Sequence, residues 1–425
     1  MMQEFGLADD EPFFQDRAAR KAHAPSRTLL RAASLAHAWG IPLGDDPSRL
    51  PTIIVVGSKG KGTAATYASA TLGAAGLRIG TLTSPGYCTN RERIRVNGTM
   101  LTPAAYHDLS NSLAHVLAIE ESRLPDMGYL SPTGLYTLAA MHYFRQRHCD
   151  AVVLEAGMGG ITDEVSLFTP DVVAFMSVFG EHLGILGSTT LEIAENKAGV
   201  IRQATHTVVC APQREEEIRI LVGKKAGTAR IVDVSEPIPD IPHAPDLIGI
   251  NAAVGVAAGK ALLHTNFGCE IAHAQLEQVL ASVQLPGRRS LHKYQSRVVG
   301  CDSAIDGIGA HEALQWFRST VGEPDCILVS IPDGKDWDGV MTACSGYETI
   351  ILRARNPFLH YTRWSTELPT IDDGILQAPR LNRILALGTI SFIGDVLDVL
   401  EVDCRSLWKH PGRRMSSLGR VQEPS

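Results

Sequence analysis

The sequence lacks the long apolar runs, paired cysteines and excess positive charge that mark three large classes of protein. No uninterrupted run of apolar residues approaches the ~20 that a membrane-spanning helix needs. The eight cysteines are scattered without a C-x-x-C pair, which argues against a disulfide framework or a zinc site and favours a reducing cytoplasm. The formal net charge of -7 gives no electrostatic reason to expect nucleic acid.

The sequence also begins without an apolar segment typical of secretion, so we expect no export signal. Its 425 residues are 44% hydrophobic and 20% charged, as in soluble globular proteins. This length suits two domains with a well-buried core.

Short β-rich apolar runs alternate with helical stretches along the chain. The first run, 52–56 (TIIVV), is followed at once by a glycine-rich turn and a helix-like stretch, 64–75. Because such alternation is typical of mostly parallel sheets covered by helices, we predict an α/β fold. A pause at 284–292 (QLPGRRSLH) predicts a larger domain, 1–287, and a smaller one, 288–425. Further buried strands are predicted at 150–154, 171–178, 206–210, 298–302, 326–331, 349–354 and 384–388, and helical structure at about 100–145.

The segment Gly57-Ser58-Lys59-Gly60-Lys61-Gly62-Thr63 follows a predicted strand and opens a predicted helix. Glycines let backbone N–H groups turn towards an anion, and a helix N-terminus adds positive potential. Lys61 could then reach terminal phosphates, and the Thr63 hydroxyl could bind Mg²⁺. The segment departs from the generic P-loop expression because Gly62 separates Lys61 from Thr63. A structural glycine turn is the alternative interpretation.

Acidic, histidine and lysine side chains follow at other predicted strand ends. Glu155 directly follows the strand 150–154, at its carboxyl end, and Glu181-His182 comes soon after the strand 171–178. Lys197 lies in a helix-like stretch. Taken singly, each could be a solvated or structural residue. Ligands of open α/β sheets bind at the carboxyl ends of the strands, so together these residues suit an ATP·Mg²⁺ site.

At this point the chain resembles the folylpolyglutamate and dihydrofolate synthases of the Mur ligase superfamily. GSKGKGT (57–63) is similar to the family's GTNGKGS loop, LEAGMGGITD (154–163) to its E-V-G-x-G-G-R-x-D segment, and 182–201 to its run ending in EKAGI. The ordered set of motifs makes the resemblance specific. Further counterparts are 82–98 (LTSPGYCTNRERIRVNG), 285–288 (LPGR), Asp302, 334–336 (GKD) and 387–396 (LGTISFIGDV).

The resemblance implies a P-loop ATPase-like domain with a mostly parallel sheet and a smaller Rossmann-like C-terminal domain. It implies an ATP-dependent ligase that joins a carboxylate to an amino acid or other amine through an acyl phosphate. ATP and Mg²⁺ are the implied cofactors. We expect a cytoplasmic monomer with small-molecule substrates and no nucleic-acid or membrane partner.

The resemblance also implies a role for each candidate residue. The catalytic residues would be Lys61, Glu155, His182 and Lys197. Mg²⁺ would be held by Thr63, Ser84, Glu155, His182 and a carbamylated Lys197. ATP would be bound by Gly57, Ser58, Gly60, Lys61, Gly62 and Thr63, and, at positions that hold adenine, phosphates and ribose across an interdomain cleft, by Asn251, Arg288 and Asp302.

Several family positions carry different residues here, and most of them lie where the acid or the amine would be handled. Because these changes remove hydrogen-bond donors and cations, they favour a smaller or less charged acid than a folate. Asp306 adds a negative charge that could favour an amine. A nucleotide-binding protein without ligase activity is the remaining alternative. The departures are Gly86, Ile161, Ser166, Glu181, Ile305 and Asp306.

Overall fold

The computed structural model describes Phe13 and residues 29–123, 130–181, 183–237, 247–377 and 381–412. These residues form two compact units. The first is drawn from 29–84, 93–283 and 406–412, and the second from 85–92 and 284–405. The chain thus passes four times between the units, at 84/85, 92/93, 283/284 and 405/406, which the sequence did not predict. The single boundary after residue 287 stays a prediction.

The first unit is built on an eight-stranded sheet that is parallel except at one edge. Its strands are β1 (Thr52–Val56), β2 (Ile79–Leu82), β3 (Ile94–Val96), β4 (Thr99–Met100), β5 (Ala151–Glu155), β6 (Val172–Phe175), β7 (Thr207–Cys210) and β8 (Arg230–Asp233). Their spatial order is β4-β3-β2-β5-β1-β6-β7-β8, with β3 and β4 joined by antiparallel pairing. The carboxyl ends of β5, β1 and β6 therefore lie side by side.

Helices cover both faces of this sheet. In β1, Ile54 and Val56 belong to one apolar cluster, and Ile53 and Val55 belong to another on the opposite face. This is the two-sided burial expected of a parallel sheet. The helices are α1 (Leu29–Ala38), α2 (Lys61–Ala74), α3 (Pro103–Arg123), α4 (Pro132–Gln146), α5 (Thr190–Ala198), α6 (Glu216–Ala226), α7 (Leu247–Phe267) and α8 (His273–Leu280), with 3-10 turns at Asn90–Arg93 and Glu164–Leu167.

The second unit contains a five-stranded sheet in the order β12-β11-β13-β10-β9. All of its pairings are parallel except that of β9 with β10. Apolar clusters again cover two faces, with Leu328 in one and Ile327 in the other. The elements are β9 (Ser290–Tyr294), β10 (Arg297–Asp302), β11 (Cys326–Ser330), β12 (Thr349–Ile351), β13 (Arg383–Gly388), α9 (Gly307–Thr320), α10 (Trp337–Ala343), α11 (Asp373–Leu376) and α12 (Ile390–Val399).

The predicted α/β class is therefore confirmed, with a large mostly parallel sheet and a smaller second sheet. The seven further strands and the helical stretch predicted at about 100–145 are present, with ends that differ by a few residues. The edge strands β4, β8 and β9, and the interior strands β2 and β3, were not predicted. None of the described helices is long and apolar enough to cross a membrane.

An ion pair between the buried Asp171 and the partly buried Arg49 joins the start of β6 to the segment before β1. Both oxygens of Asp171 accept from the Arg49 guanidinium, at 2.7 and 2.8 Å. Asp171 also accepts from the Thr52 N–H at 2.8 Å and from Asn266 Nδ2 at 3.0 Å. Burial raises the pKa of the Asp171 carboxyl, but these four donors outweigh it and hold the pKa below its usual value.

Asp171→Asn is expected to lower the free energy of unfolding by roughly 2–3 kcal/mol at pH 7, because charged hydrogen bonds to a buried acceptor are lost. A carboxyl with a depressed folded pKa stabilises fully above its unfolded value and loses that stabilisation as pH falls through the folded value. The difference in free energy of unfolding between wild type and variant, measured with urea, should therefore become smaller towards pH 3. Asp233→Asn is the control, because its ion pair with Arg219 is exposed. Equal losses in both variants would contradict the prediction.

Candidate functional site

The loop Gly57–Thr63 connects the carboxyl end of β1 to the first turn of α2. Gly57 has φ 136° and Gly60 has φ 80°, a backbone region that favours glycine. There is also no room for a Cβ: at Gly57 it would clash with Met176, and at Gly60 with the side chain of Asn251. Asn251, a residue of α7, is thus packed directly against this loop. Gly60 has no side chain to cap α2, so the N–H groups of its first turn are available to an anion.

Two lysines converge on one backbone carbonyl of this loop. Lys61 Nζ donates to the oxygen of Gly57 at 3.0 Å, and Lys197 Nζ donates to the same oxygen at 2.9 Å. Lys197 also donates to the oxygen of Met158 at 3.0 Å and, more weakly, to Glu181 Oε1 at 3.4 Å. The Lys197 side chain is fully buried. Burial, together with the charge of Lys61, lowers its pKa to about 8.

A buried carboxylate faces the same helix turn. Glu155 ends β5, and its Oε2 would lie 3.4 Å from a Cβ placed on Gly62. Oε2 also accepts from the Ser84 N–H at 3.0 Å, while Ser84 Oγ accepts from the Arg93 guanidinium at 2.8 Å. Thr63, on this turn, is buried as well. Hydroxyl and carboxylate oxygens are the ligands that Mg²⁺ prefers, so the side chains at this turn fit that ion.

The one histidine predicted for this site cannot be placed. His182, predicted as a metal ligand and a catalytic residue, lies outside the described residues. Within the part of the chain that the structure describes, no group of three or more His, Cys, Asp or Glu could hold a metal ion by itself.

Two residues that the sequence did not single out fix the loop after β5. Asp163 is fully buried, and its Oδ2 accepts from the N–H groups of Gly157 and Met158 at 3.0 and 3.3 Å. Asn196 Oδ1 accepts from the Gly160 N–H at 3.0 Å. These contacts hold the Met158 carbonyl where Lys197 donates to it. Asp163 and Asn196 lie within the motif segments 154–163 and 182–201, but the motifs gave them no positioning role.

Further cations lie near Ser58 of the loop Gly57–Thr63. Ser58 donates from its N–H to the oxygen of Ser177 at 3.0 Å, and its Oγ accepts from the Phe179 N–H at 3.0 Å. Over the Phe179 ring lie the Arg214 guanidinium, 4.9 Å from the centroid, and the Lys59 ammonium at 5.8 Å. Arg214 was not predicted, because no motif marks it.

The two remaining nucleotide candidates, Arg288 and Asp302, belong to the second unit. Asp302 ends β10, and its carboxylate accepts from the Arg289 N–H at 3.0 Å. Burial raises the pKa of Asp302 to about 6, although the charges of Arg288 and Arg289 oppose this shift. Their roles in binding a nucleotide stay predictions.

Solved structures share this fold. The Mycobacterium tuberculosis folylpolyglutamate synthase complexed with ADP and AMPPCP matches with a TM-score of 0.76, covering 93% of this chain and 99% of that chain at 20% identity. The apo form of the L. casei enzyme matches with a TM-score of 0.75, covering 92% and 99% at 20% identity. No family model matches the sequence.

Curated relatives point the same way. The dihydrofolate synthase/folylpolyglutamate synthase of Bacillus subtilis (strain 168) is 33% identical over 175 residues, which are 41% of this chain and 40% of that protein. The chain is a divergent relative of these synthases. The Saccharomyces cerevisiae (strain FostersO) folylpolyglutamate synthase is 27% identical over 315 residues, which are 67% of this chain and 57% of that protein. The matched regions thus span less than two thirds of either relative.

The family resemblance and the two-part α/β fold predicted from the sequence are thereby confirmed. Relatedness to the folylpolyglutamate synthases does not by itself assign a role to any residue here. The structure brings Lys61, Glu155 and Lys197 together around one loop of the first unit, with Thr63 and Ser84 beside them. The functions of these side chains in this synthase relative are proposals.

Proposed function

We propose that this chain is an ATP-dependent ligase that joins a carboxylate to an amino acid or a related amine through an acyl phosphate, releasing ADP. The observation that carries the proposal is the donation of Lys61 and Lys197 to one carbonyl of a loop at a helix N-terminus, close to the buried carboxylate of Glu155. Cations, free backbone N–H groups and a metal-binding carboxylate are what phosphoryl transfer requires.

Each side chain has a separate task in this reaction. The N–H groups at the start of α2 bind the phosphates, and Lys61 turns from the Gly57 carbonyl to neutralise the γ-phosphate. Mg²⁺, when bound, neutralises charge on the phosphate oxygens, and Thr63, Ser84 and Glu155 would hold it. His182 remains a predicted further ligand.

The reaction requires no reactant other than ATP, the carboxylate and the amine. An oxygen of the substrate carboxylate attacks the γ-phosphorus, and the bond to the leaving ADP oxygen breaks. The amine nitrogen then attacks the acyl carbon of the acyl phosphate, phosphate departs with the electrons of the C–O bond, and the nitrogen loses a proton. Catalysis comes mainly from alignment of the reacting atoms and from charge neutralisation by residues such as Lys61.

A carbamate on Lys197 is a further part of the proposal. The lowered pKa of this amine increases its neutral form, which is the form that reacts with CO₂. The present contacts favour the ammonium instead, because Nζ donates to the carbonyls of both Gly57 and Met158 and a carbamate nitrogen keeps only one hydrogen. Carbamylation would therefore require one of these bonds to be released.

This chain differs most from the family at positions that would handle the substrates, so the identity of the acid is the part of the family activity most open to change. At Gly86 a Cβ would clash with the carbonyl oxygen of Thr89, so this turn has no room for the histidine of the family motif. Ile161 stands where the family has an arginine, is 46% exposed, and has a side chain that offers no hydrogen bond. These two positions favour an acid with fewer charges than a glutamate-bearing folate.

The position of Asp306 argues against the expectation that its negative charge attracts a substrate amine. Its side chain accepts from the Gly309 N–H at 2.8 Å and caps the N-terminus of α9. An aspartate is a favoured residue at such a position because it satisfies an otherwise free N–H group. Its charge is thus engaged by the helix rather than reserved for a substrate.

ADP release by the purified chain tests the proposal. The assay should pair dihydropteroate, folate and small monocarboxylic acids with glutamate and other amino acids. We expect ADP release that needs both an acid and an amine, with kcat/KM for folate plus glutamate at least ~10-fold below the best small acid, a discrimination that one or two polar contacts can produce. ADP release that ignores both substrates would contradict ligase chemistry, and growth of cells lacking their own folate synthase on this gene would contradict the shift of substrate. Localisation in the cytoplasm and a monomeric state stay predictions.

A further inference from the structure

Two cysteine thiols lie side by side in the second unit, although they are far apart in the sequence. Cys88 belongs to the segment Pro85–Glu92, and Cys404 follows α12 near the end of the unit. Both side chains pack in the same apolar cluster, and the two thiols form a hydrogen bond with each other. All eight cysteines of the chain are present as thiols. The fold thus brings together a pair that no C-x-x-C motif indicates.

Hydrogen bonds fix the position of Cys88 on α12. Its Sγ donates to the oxygen of Gly394 at 3.5 Å. Its N–H donates to Glu92 Oε1 at 2.9 Å, and the same oxygen accepts from the N–H of Thr89 at 3.0 Å. Glu92 is itself buried, so this short turn is held by its own carboxylate. The Cys88 thiol is therefore presented to the apolar cluster that contains Cys404.

The two thiols differ in access to solvent. Cys88 is partly exposed, whereas Cys404 is only 6% exposed. An oxidant from solution therefore reaches Cys88 first, and Cys404 is placed to react with the product. The hydrogen bond with Cys404, together with burial, holds the pKa of the Cys88 thiol above its usual value. Because the thiolate is the reactive form, the pair stays reduced at rest and responds to sustained oxidant.

We propose that Cys88 and Cys404 form a reversible disulfide when the chain meets a peroxide, and that this bond slows the ligase. The Cys88 thiolate attacks one oxygen of hydrogen peroxide, the O–O bond breaks, and a sulfenic acid and hydroxide result. The sulfur of Cys404 then attacks the sulfur of Cys88, and water departs with the sulfenic oxygen. In all, two thiols lose two protons and two electrons, and the peroxide is reduced to two waters.

The disulfide would act on the proposed Mg²⁺ site through the chain itself. Ser84, a proposed ligand, lies four residues before Cys88. A covalent bond between two sulfur atoms is shorter than the hydrogen bond that it replaces, so Cys88 must move towards Cys404. We expect the shift to pass along this short segment to Ser84, whose N–H donates to Glu155 at 3.0 Å. This effect on turnover rests on the proposed ligase function, whereas formation of the disulfide does not.

Peptide mapping of the full chain tests disulfide formation without any activity measurement. Trypsin should release 79–91 with Cys88 and 384–405 with Cys404, each with a single cysteine. After treatment of the folded protein with hydrogen peroxide and alkylation, these peptides should be joined in at least ~10-fold excess over any other cysteine pair, because only the adjacent thiols have a high effective concentration. Dithiothreitol should separate them. Joining of 384–405 to 298–318, which carries Cys301 of the same cluster, would overturn the assignment, as would the lack of any link.

Cys88→Ser is the variant that decides the pairing. A serine keeps a hydroxyl for the Gly394 carbonyl, and the position is partly exposed, so the fold should remain intact. The variant should form no link to Cys404. Cys344→Ala is the control, because Cys344 is a buried thiol in the other apolar cluster of the same unit, and it should cross-link as the wild type does. A cross-link of Cys404 at wild-type yield in Cys88→Ser would refute the pairing.

ADP release measures the effect on the ligase. The oxidised wild type should release ADP at least ~3-fold more slowly than the reduced protein and recover with dithiothreitol, because a fixed segment next to the metal site hinders conformational steps of turnover. Cys88→Ser should be insensitive to the same treatment. A disulfide that leaves ADP release unchanged would refute the control of turnover. No ADP release from either form would contradict the proposed ligase and its control, while the peptide map still decides the disulfide.

Discussion

Lys61→Ala is expected to slow ADP release by at least ~100-fold, because it removes a preorganised cation from the transferring phosphate. The fold should remain intact. Lys61 is only partly buried, and its ammonium is held by backbone carbonyls of its own loop at 3.0 and 3.5 Å. The free energy of unfolding in urea should therefore stay within ~1 kcal/mol of the wild-type value.

The matched control for this variant is Lys260→Ala. Lys260 is an exposed lysine of α7 in the same unit, and its removal changes the net charge by the same amount. We expect unchanged ADP release in the control. Wild-type turnover in Lys61→Ala would end the assignment of Gly57–Thr63 as a phosphate loop and leave it as a structural glycine turn.

Lys197→Ala is expected to damage both stability and activity. The side chain is fully buried, and its loss leaves the carbonyls of Gly57 and Met158 without this donor and opens a cavity. We expect the free energy of unfolding to fall by about 2–4 kcal/mol, and ADP release to fall at least ~100-fold. Lys225→Ala is the control, because its pair with Glu195 at 3.4 Å is exposed. A stability loss in Lys197→Ala no larger than that of the control would contradict the bridging role.

The protonation of Lys197 gives a second readout. Burial and the charge of Lys61 lower the pKa of Lys197 from 10.5 to about 8. Between these two pH values the unfolded chain therefore keeps a proton on this amine that the folded chain has released. Stability should therefore gain a contribution from this residue as pH rises from about 8 to 10.5, and Lys197→Met should lack that gain. If the carbamate forms, wild-type turnover should also fall in CO₂-depleted buffer and recover with bicarbonate. Indifference to bicarbonate would leave Lys197 acting as an ammonium.

The sequence predicted the strands that are apolar along their whole length. β1 (TIIVV) is buried at every position and runs directly into a glycine turn, so local composition and final position agree. β2 (IGTL) escaped prediction because it is short and contains Gly80, where a Cβ would clash with Phe144. That strand exists because β5 and β3 pair with it on either side, which is information held elsewhere in the chain.

At the candidate site, motif and order identified the residues that carry charge. Lys61, Glu155 and Lys197 come together as their positions at strand ends and in a following helix suggested. Asp163 and Asn196 belong to the same motifs, but their positioning role could not be found in this way. Their function depends on hydrogen bonds to backbone groups whose positions are set only by the folded loop. The helix cap at Asp306 was missed for the same reason.

The divided second unit limits how this gene could be recombined with those of its relatives. The segment Pro85–Glu92 belongs to that unit, and there Tyr87 lies so close to Gly394 of α12 that no Cβ could be added to the glycine. A crossover at one point near residue 284 would join a foreign 284–405 to a resident 85–92 that had been shaped against a different helix. Functional chimeras therefore require the two stretches to be inherited together, although nearly two hundred residues of sequence separate them.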